Sequence, residues 1–195
     1  MNTDTRHQIL HQTFTAIRLH GFQGVRPDKV VQEMGITKGA LYHYFTGKKE
    51  LGYAIVDEII APMYLGLWER AATGSGTAVE RIAAVLHRLR LSTSDTDIFT
   101  GCPLNNLMQE MSPLDEGFRQ RLEYIVGGMH RAVAEVLMQG QAEGEIRPDV
   151  NTSAAAYQII AAVEGAFGIA KTLRSAQVFH STLDEVERYI RGLQS

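Results

Sequence analysis

The apolar residues of this chain recur every three or four positions almost from end to end, and that spacing constrains the fold more than any other feature. Leu114, Phe118, Leu122, Ile125, Met129, Val133 and Val136 mark one long stripe, and Ile9, Leu10, Phe14 and Ile17 mark another near the start. Residues three and four apart share a face of an α-helix, whereas a strand alternates every second residue. No period-two segment, internal repeat or low-complexity tract breaks the pattern. The expected fold class is all-α, with about nine helices.

Punctuation divides the stripes into elements. The first helix is expected over about 4–20 with Gly21 as its stop, since glycine tolerates the left-handed conformation that ends helices. Pro27 suits the first turn of a second helix with Val30, Val31 and Met34 inside, and Thr37 is a good N-cap for a third. A fourth helix runs from Gly47–Lys48 toward Ala72. Pro62 lies inside it and predicts a kink, because proline offers no N–H and clashes one turn back. After the Gly/Ser break at 73–77, a fifth helix covers about 77–93 on Val79, Ile82, Val85, Leu86 and Leu89. A short one opened by Pro103 spans about 103–111, and Ser112-Pro113 starts a long one to about Ala142. After the turn at Gly144–Asp149, the eighth and ninth cover about 152–172 and 182–193, the last on Leu183, Val186, Ile190 and Leu193.

The segment Gly35-Ile-Thr-Lys-Gly-Ala-Leu-Tyr-His-Tyr-Phe45 reads as a tight turn and a very short helix with two surfaces. Leu41 and Phe45, four apart, share a buried face. Lys38, Gly39, Ala40, Tyr42 and His43 fall elsewhere: a cation, two residues with almost no bulk, and two flat hydrogen-bonding rings. Such a helix suits insertion into a DNA major groove. Tyr44, beside a core residue, is expected to pack inward.

A net charge of −3 looks wrong for a nucleic-acid binder until it is divided along the chain. Residues 1–53 hold seven Lys/Arg against four Asp/Glu, a net +3, which leaves −6 for the remainder. An acidic body would repel phosphate and keep DNA at one end of the molecule. With 45% hydrophobic and 21% charged residues, the 195-residue chain can bury a real core. One cysteine, Cys102, excludes an internal disulfide and a cysteine-based zinc site. His7, His11 and His20 have no acid or cysteine to complete a metal site. Neither a metal nor a cofactor is expected. The first residues lack an apolar signal region and no apolar run approaches a membrane span, so a cytoplasmic protein with no membrane partner is expected.

Residues 6–55 resemble the N-terminal domain of the TetR family of bacterial one-component repressors. The matching signature is Gly35 to Phe45, followed by Lys48 and Leu51. The resemblance implies a helix-turn-helix DNA-binding domain over 1–50 and a helical effector-binding and dimerisation domain over 51–195. It further implies that Lys38 reaches a base edge or phosphate, and that Gly39 and Ala40 admit the backbone close to the bases. By the same resemblance, Tyr42 and His43 would contact phosphates or base edges, and Thr37 would cap the helix and touch phosphate. Lys48 would hold a phosphate against the amides that open the fourth helix, and Arg26 would meet the backbone at the start of the second. Two positions depart from the family pattern: Val31 is larger than the usual residue, and Arg26 cannot cap as the usual hydroxyl does.

In the second half, helices 4 to 8 are expected to surround a pocket. Tyr64, Trp68, His87, Cys102, Asn105, Met108, Phe118, Tyr124 and Met129 are its candidate lining, with Phe99, Gln109 and Met111 beside them; ordinary core packing is the alternative for each. That lining suits a small, mostly apolar effector with one or two polar groups. The eighth helix is rich in small residues (Ala154, Ala155, Ala156, Ala161, Ala162, Gly165, Ala166, Gly168, Ala170), with Tyr157, Ile160 and Phe167 between them. Helices 8 and 9 are therefore expected to form a homodimer, which would present two reading helices to a palindromic double-stranded operator. The expected function is a ligand-responsive repressor and not an enzyme. In that mechanism the effector pushes on the fourth helix and spoils the spacing of the two heads; activation instead of repression is open. The alternative is a small enzyme with Cys102 as nucleophile and His87 or His130 as base, or a redox or electrophile sensor using Cys102. Gly101 and Pro103 set Cys102 near a helix start, where a thiolate is stabilised, and a buried inert thiol remains the other reading.

Overall fold

The computed structural model describes residues 3–195, with side chains from Thr5 onward. Its main helices are α1 (Thr3–Gly24), α2 (Pro27–Glu33), α3 (Lys38–Tyr44), α4 (Lys48–Thr73), α5 (Ala78–Ser92), α6 (Pro103–Met111), α7 (Glu116–Ala142), α8 (Thr152–Leu173) and α9 (Ala176–Arg191), with a short helix at Asp95–Thr100 between α5 and α6. Among the described residues there is no β-strand, only an antiparallel bridge between Ile146 and Gln194. The all-α expectation holds.

The local signals act largely as their chemistry demands. Gly21 takes φ 72° and ψ 163° and breaks α1 internally; the chain then resumes one more turn to Gly24, four residues beyond the expected end. That resumed turn is held by Glu110, whose carboxylate accepts the Phe22 and Gln23 amides at 2.8 and 2.7 Å. In α4 the proline works through a wider π-type turn at Val56–Ile60, where the Ala61 amide donates to the Val56 carbonyl five residues back. Pro62 follows at once, so the widened turn absorbs the hydrogen bond it cannot make. A helix at Asp95–Thr100 was not anticipated, although Ser94 and Asp97 form a reciprocal capping box. The long helix starts at Glu116 rather than at Pro113, with Asp115 accepting the Phe118 amide at 3.0 Å. Leu114 is thereby left outside the stripe and is exposed. The last helix begins at Ala176, not 182, because Arg174 adopts a left-handed cap and Ser175 accepts from the Val178 amide.

The helices form two compact units, Met1–Pro62 with Pro103–Glu123, and Met63–Cys102 with Tyr124–Ser195. Two of the three boundaries fall inside helices, in α4 after Pro62 and in α7 after Glu123, and the third falls after Cys102, where α6 begins. In the first unit Ile9, Phe22, Val31, Leu41, Phe45, Leu51, Ile55 and Phe118 are buried. Phe118 packs edge-on against Phe22 at 4.7 Å and Tyr53 at 5.0 Å between ring centroids. Arg6 joins α1 to α4 through a bidentate pair with Glu58 (2.6 and 2.5 Å). In the second unit Trp68, Ile82, Leu86, Leu137, Phe179 and Leu183 are buried, and Phe167 lies 4.6 Å from Phe179 across α8 and α9. The buried Arg81 donates to the Ala71 and Ala72 carbonyls and to Gln139, satisfying orphan carbonyls at the end of α4. Contrary to the expectation that no apolar run approaches a membrane span, α4 and α8 each hold, by length and composition, an 18-residue stretch apolar enough to cross a membrane, and 44% and 50% of those stretches are buried inside the protein. Core helices of globular proteins pass the same test.

Candidate nucleic-acid interface

The reading helix is built from the turn outward. Gly35 adopts φ +71°, a conformation that costs a side-chain-bearing residue far more than glycine. The turn is closed by the Gly35 amide on the Gln32 carbonyl (3.0 Å) and the Ile36 amide on the Val31 carbonyl (2.8 Å). Thr37 then caps α3, its Oγ1 accepting the Ala40 amide at 3.2 Å. Inside α3 only Leu41 is buried; Phe45, which follows the helix, is buried too, and Val31 of α2 is fully buried. Val31 is thus accommodated despite its size. Thr37, Lys38, Gly39, Tyr42 and His43 are exposed, and Ala40 is half-buried. Tyr44 is half-buried, edge-on to His43 at 5.2 Å.

The polar groups of this face are ordered by one acid. Asp28, in the first turn of α2, takes the Lys38 ammonium on Oδ2 at 2.7 Å and the Tyr42 hydroxyl on Oδ1 at 3.0 Å. Those two bonds hold the Asp28 carboxyl below its ordinary range, the Lys38 bond first. Lys38 and Tyr42 are raised in turn by their bonds to Asp28. Sequence reasoning missed Asp28; its place one residue after Pro27 was the available signal. Arg26 precedes α2, exposed and without a capping bond from its side chain.

Lys48 departs from its expected pose. Its ammonium donates to the Gln23 carbonyl at 2.9 Å and lies 5.0 Å from the Phe22 ring centroid. Burial pushes its pKa down, partly offset by Glu110. Lys48 therefore fastens the end of α1 to the start of α4, and it reaches a phosphate only by leaving that carbonyl.

The candidate effector residues are divided by the fold. Tyr64, Trp68, Cys102 and Met129 are buried in the second unit, where the Tyr64 hydroxyl lies 3.0 Å from Cys102 Sγ. Glu164 joins them. It is the sole acid of α8, 7% exposed, hydrogen-bonded to Cys102, and pushed up to about 7 by burial. An acid alone among apolar α8 residues was the signal for it. Asn105, Met108 and Phe118 belong to the first unit, with Phe118 in its aromatic core. His87 is exposed, and Tyr124 is 63% exposed on α7. His130 stacks on Tyr157 at 3.9 Å with Nε2 against Ser153. Of the neighbours named with them, Phe99 and Gln109 are exposed and Met111 is buried. Among the described residues no three His, Cys, Asp or Glu side chains gather as a metal site.

The small residues of α8 also divide. Ala155, Ala156, Ala166 and Ala170, with Ile160 and Phe167, are buried within the second unit, whereas Ala154, Tyr157, Ala161, Ile169 and Leu173 face outward. Gly165 and Gly168 have nothing within 4 Å of where a Cβ would project.

Known proteins share this fold. Residues 9–55 match the family of bacterial regulatory proteins, tetR family, and residues 78–186 match the tetracyclin repressor-like C-terminal domain. The chain is 27% identical over 161 residues to the transcriptional regulator AcuR of Cereibacter sphaeroides, covering 83% of this chain and 74% of that one. It is 25% identical over 138 residues to the helix-turn-helix-type transcriptional repressor NemR of Escherichia coli, covering 71% and 69%. The crystal structure of reduced E. coli NemR superposes with a TM-score of 0.84 at 23% identity, covering 98% of this chain and 97% of that one. A TetR-family regulator from Cytophaga hutchinsonii gives 0.83 at 22%, covering 97% and 94%. With its helix-turn-helix segment and most of its remaining length both matched, the chain belongs to the TetR family of bacterial transcriptional regulators.

Proposed function

We propose that this regulator is a ligand-responsive repressor that binds a palindromic operator as a dimer and is released by a small, mostly apolar effector. One observation carries the DNA half of this reading: α3 buries Leu41 while exposing Lys38, Gly39, Tyr42 and His43 on a helix short enough to enter a major groove. Thr37, Ala40 and Arg26 complete the contact set, and Lys48 joins it by exchanging the Gln23 carbonyl for a phosphate. The similarity to NemR, a transcriptional repressor, supports repression.

The outward face of α8, together with α9, forms the homodimer. Its exposed Tyr157, Ile169 and Leu173 supply apolar area, and the open space beside Gly165 and Gly168 allows close approach of a second copy. Two reading helices about 34 Å apart meet successive turns of one DNA face. The effector site lies in the second unit around Tyr64, Trp68, Cys102 and Met129, with Glu164 as its polar group. The effector prefers the conformation in which the heads are out of register, typically by about 1–3 kcal/mol. A cytoplasmic location follows from this work on DNA.

The test is a gel shift with duplexes selected from randomised DNA, run beside sedimentation. Tyr42→Ala is expected to abolish the shift and leave the sedimenting dimer unchanged. Undiminished DNA binding by Tyr42→Ala, or a chain that sediments as a monomer on DNA, would refute the assignment.

A further inference from the structure

We propose that Asp28 is a positioning residue that sets sequence discrimination, its two carboxylate oxygens holding Lys38 and Tyr42 in one arrangement while its charge opposes contacts with phosphate. The proposal rests on the DNA-reading role of α3. Asp28 spends one oxygen on each partner, 2.7 Å to the Lys38 ammonium and 3.0 Å to the Tyr42 hydroxyl. Both partners are exposed, and among the described residues the first turn of α3 holds no acid, its cap being the Thr37 hydroxyl. Asp28 itself is about one-third exposed, at the same surface.

An acid in that position has two consequences. Lys38 and Tyr42 are rotamer-rich or long side chains, and a pair already fixed loses less freedom when it docks on the right bases. That gain goes only to a duplex whose base edges match the fixed arrangement. The second consequence falls on every other duplex. Backbone contacts carry no sequence information and are driven by lysine or arginine displacing counterions from phosphates. For Lys38 to make such a contact it must share its ammonium between Asp28 and the phosphate or give Asp28 up, and in either case the negative charge of Asp28 faces the phosphate backbone. Asp28 therefore weakens indiscriminate binding and preserves the matched complex.

The experiment measures affinity against salt concentration for two duplexes of equal length. One is the sequence selected from randomised DNA by the wild-type chain, and the other is a scrambled version of it. Asp28→Asn keeps the shape and an acceptor for Tyr42 but loses the charge. It is expected to bind the scrambled duplex more tightly, with a salt slope steeper by about 0.9 for each phosphate gained. The ratio of selected to scrambled affinity is expected to fall roughly ten-fold. Asp28→Ala should lower the ratio further. A ratio unchanged in Asp28→Asn overturns the proposal, as does an equal loss on both duplexes, which is what a purely structural role would give. Should Asp28→Ala fold poorly by thermal melting, Asp28→Asn decides alone. A wild-type chain that selects no sequence and binds neither duplex overturns the reading of α3 itself, a failure distinct from an unchanged ratio in a chain that binds.

Discussion

Glu164→Gln should remove a pH dependence from the stability of the second unit. The carboxyl is buried among apolar α8 neighbours and its pKa is raised from 4.5 to about 7, by burial first and against a smaller opposing bond with Cys102. Below about pH 4.5 the group is protonated in both folded and unfolded chains and contributes no slope. Between there and about 7 the native state keeps a proton that the unfolded chain has released, so stability falls as pH rises. Above about 7 the native carboxylate is also ionised, the slope vanishes and the deficit is complete. At about 1.4 kcal/mol for each unit, the full deficit is about 3 kcal/mol, a large fraction of a typical domain's stability. Trp68 is the single tryptophan and is buried in the same unit, so its fluorescence reports the relevant transition. Urea unfolding of both proteins at pH 5, 6, 7 and 8 gives a difference curve from which other titrating groups cancel. Glutamine should gain on wild type by most of that amount between pH 5 and 7 and by little more thereafter. A difference curve flat to within about 0.5 kcal/mol would refute the burial argument.

Two further outcomes test the first unit. A methyl group at Gly52 would lie 2.6 Å from Phe118 Cζ and closer still to the Phe22 ring, so Gly52→Ala should cost about 1–3 kcal/mol by overpacking, read from urea unfolding followed by circular dichroism. Asp115 is held well below its usual range by bonds from Lys49, Tyr53 and the Phe118 amide. Its contribution is present above the ordinary carboxylate range and is lost as pH falls through the native value. Asp115→Asn should therefore be less stable at neutral pH and converge on wild type in an acid titration; parallel titrations would exclude the role.

What was legible in the sequence was whatever could be decided within one turn of chain. Gly35, Thr37, Leu41 and Phe45 lie within eleven residues, and each acts through its own backbone or a neighbour three or four positions away. Their structure follows from glycine's freedom, a hydroxyl cap and helical spacing, with no knowledge of the rest of the molecule. The same holds for Pro62, whose missing donor predicts a distortion wherever the helix packs.

What was not legible depends on contacts across long stretches of chain. Lys48 at a helix start reads as a phosphate ligand, because helix N-termini attract anions; its partner, the Gln23 carbonyl, is twenty-five residues away. The apolar stripe of α7 reads as continuous, yet Phe118 and Leu122 belong to the first unit and Ile125, Met129 and Val133 to the second. Periodicity says which face of a helix is buried, not which body it is buried in. That distinction matters for control. Pro103–Glu123 lies within the 51–195 segment read as effector-binding, but Glu110, Asp115 and Phe118 engage α1 and α4 of the unit that carries α3. A linear boundary at residue 50 would assign these three side chains to effector recognition. Their observed partners place them within the unit that carries α3, so substitutions at them should be scored by unfolding before any change in DNA binding is attributed to the proposed effector site.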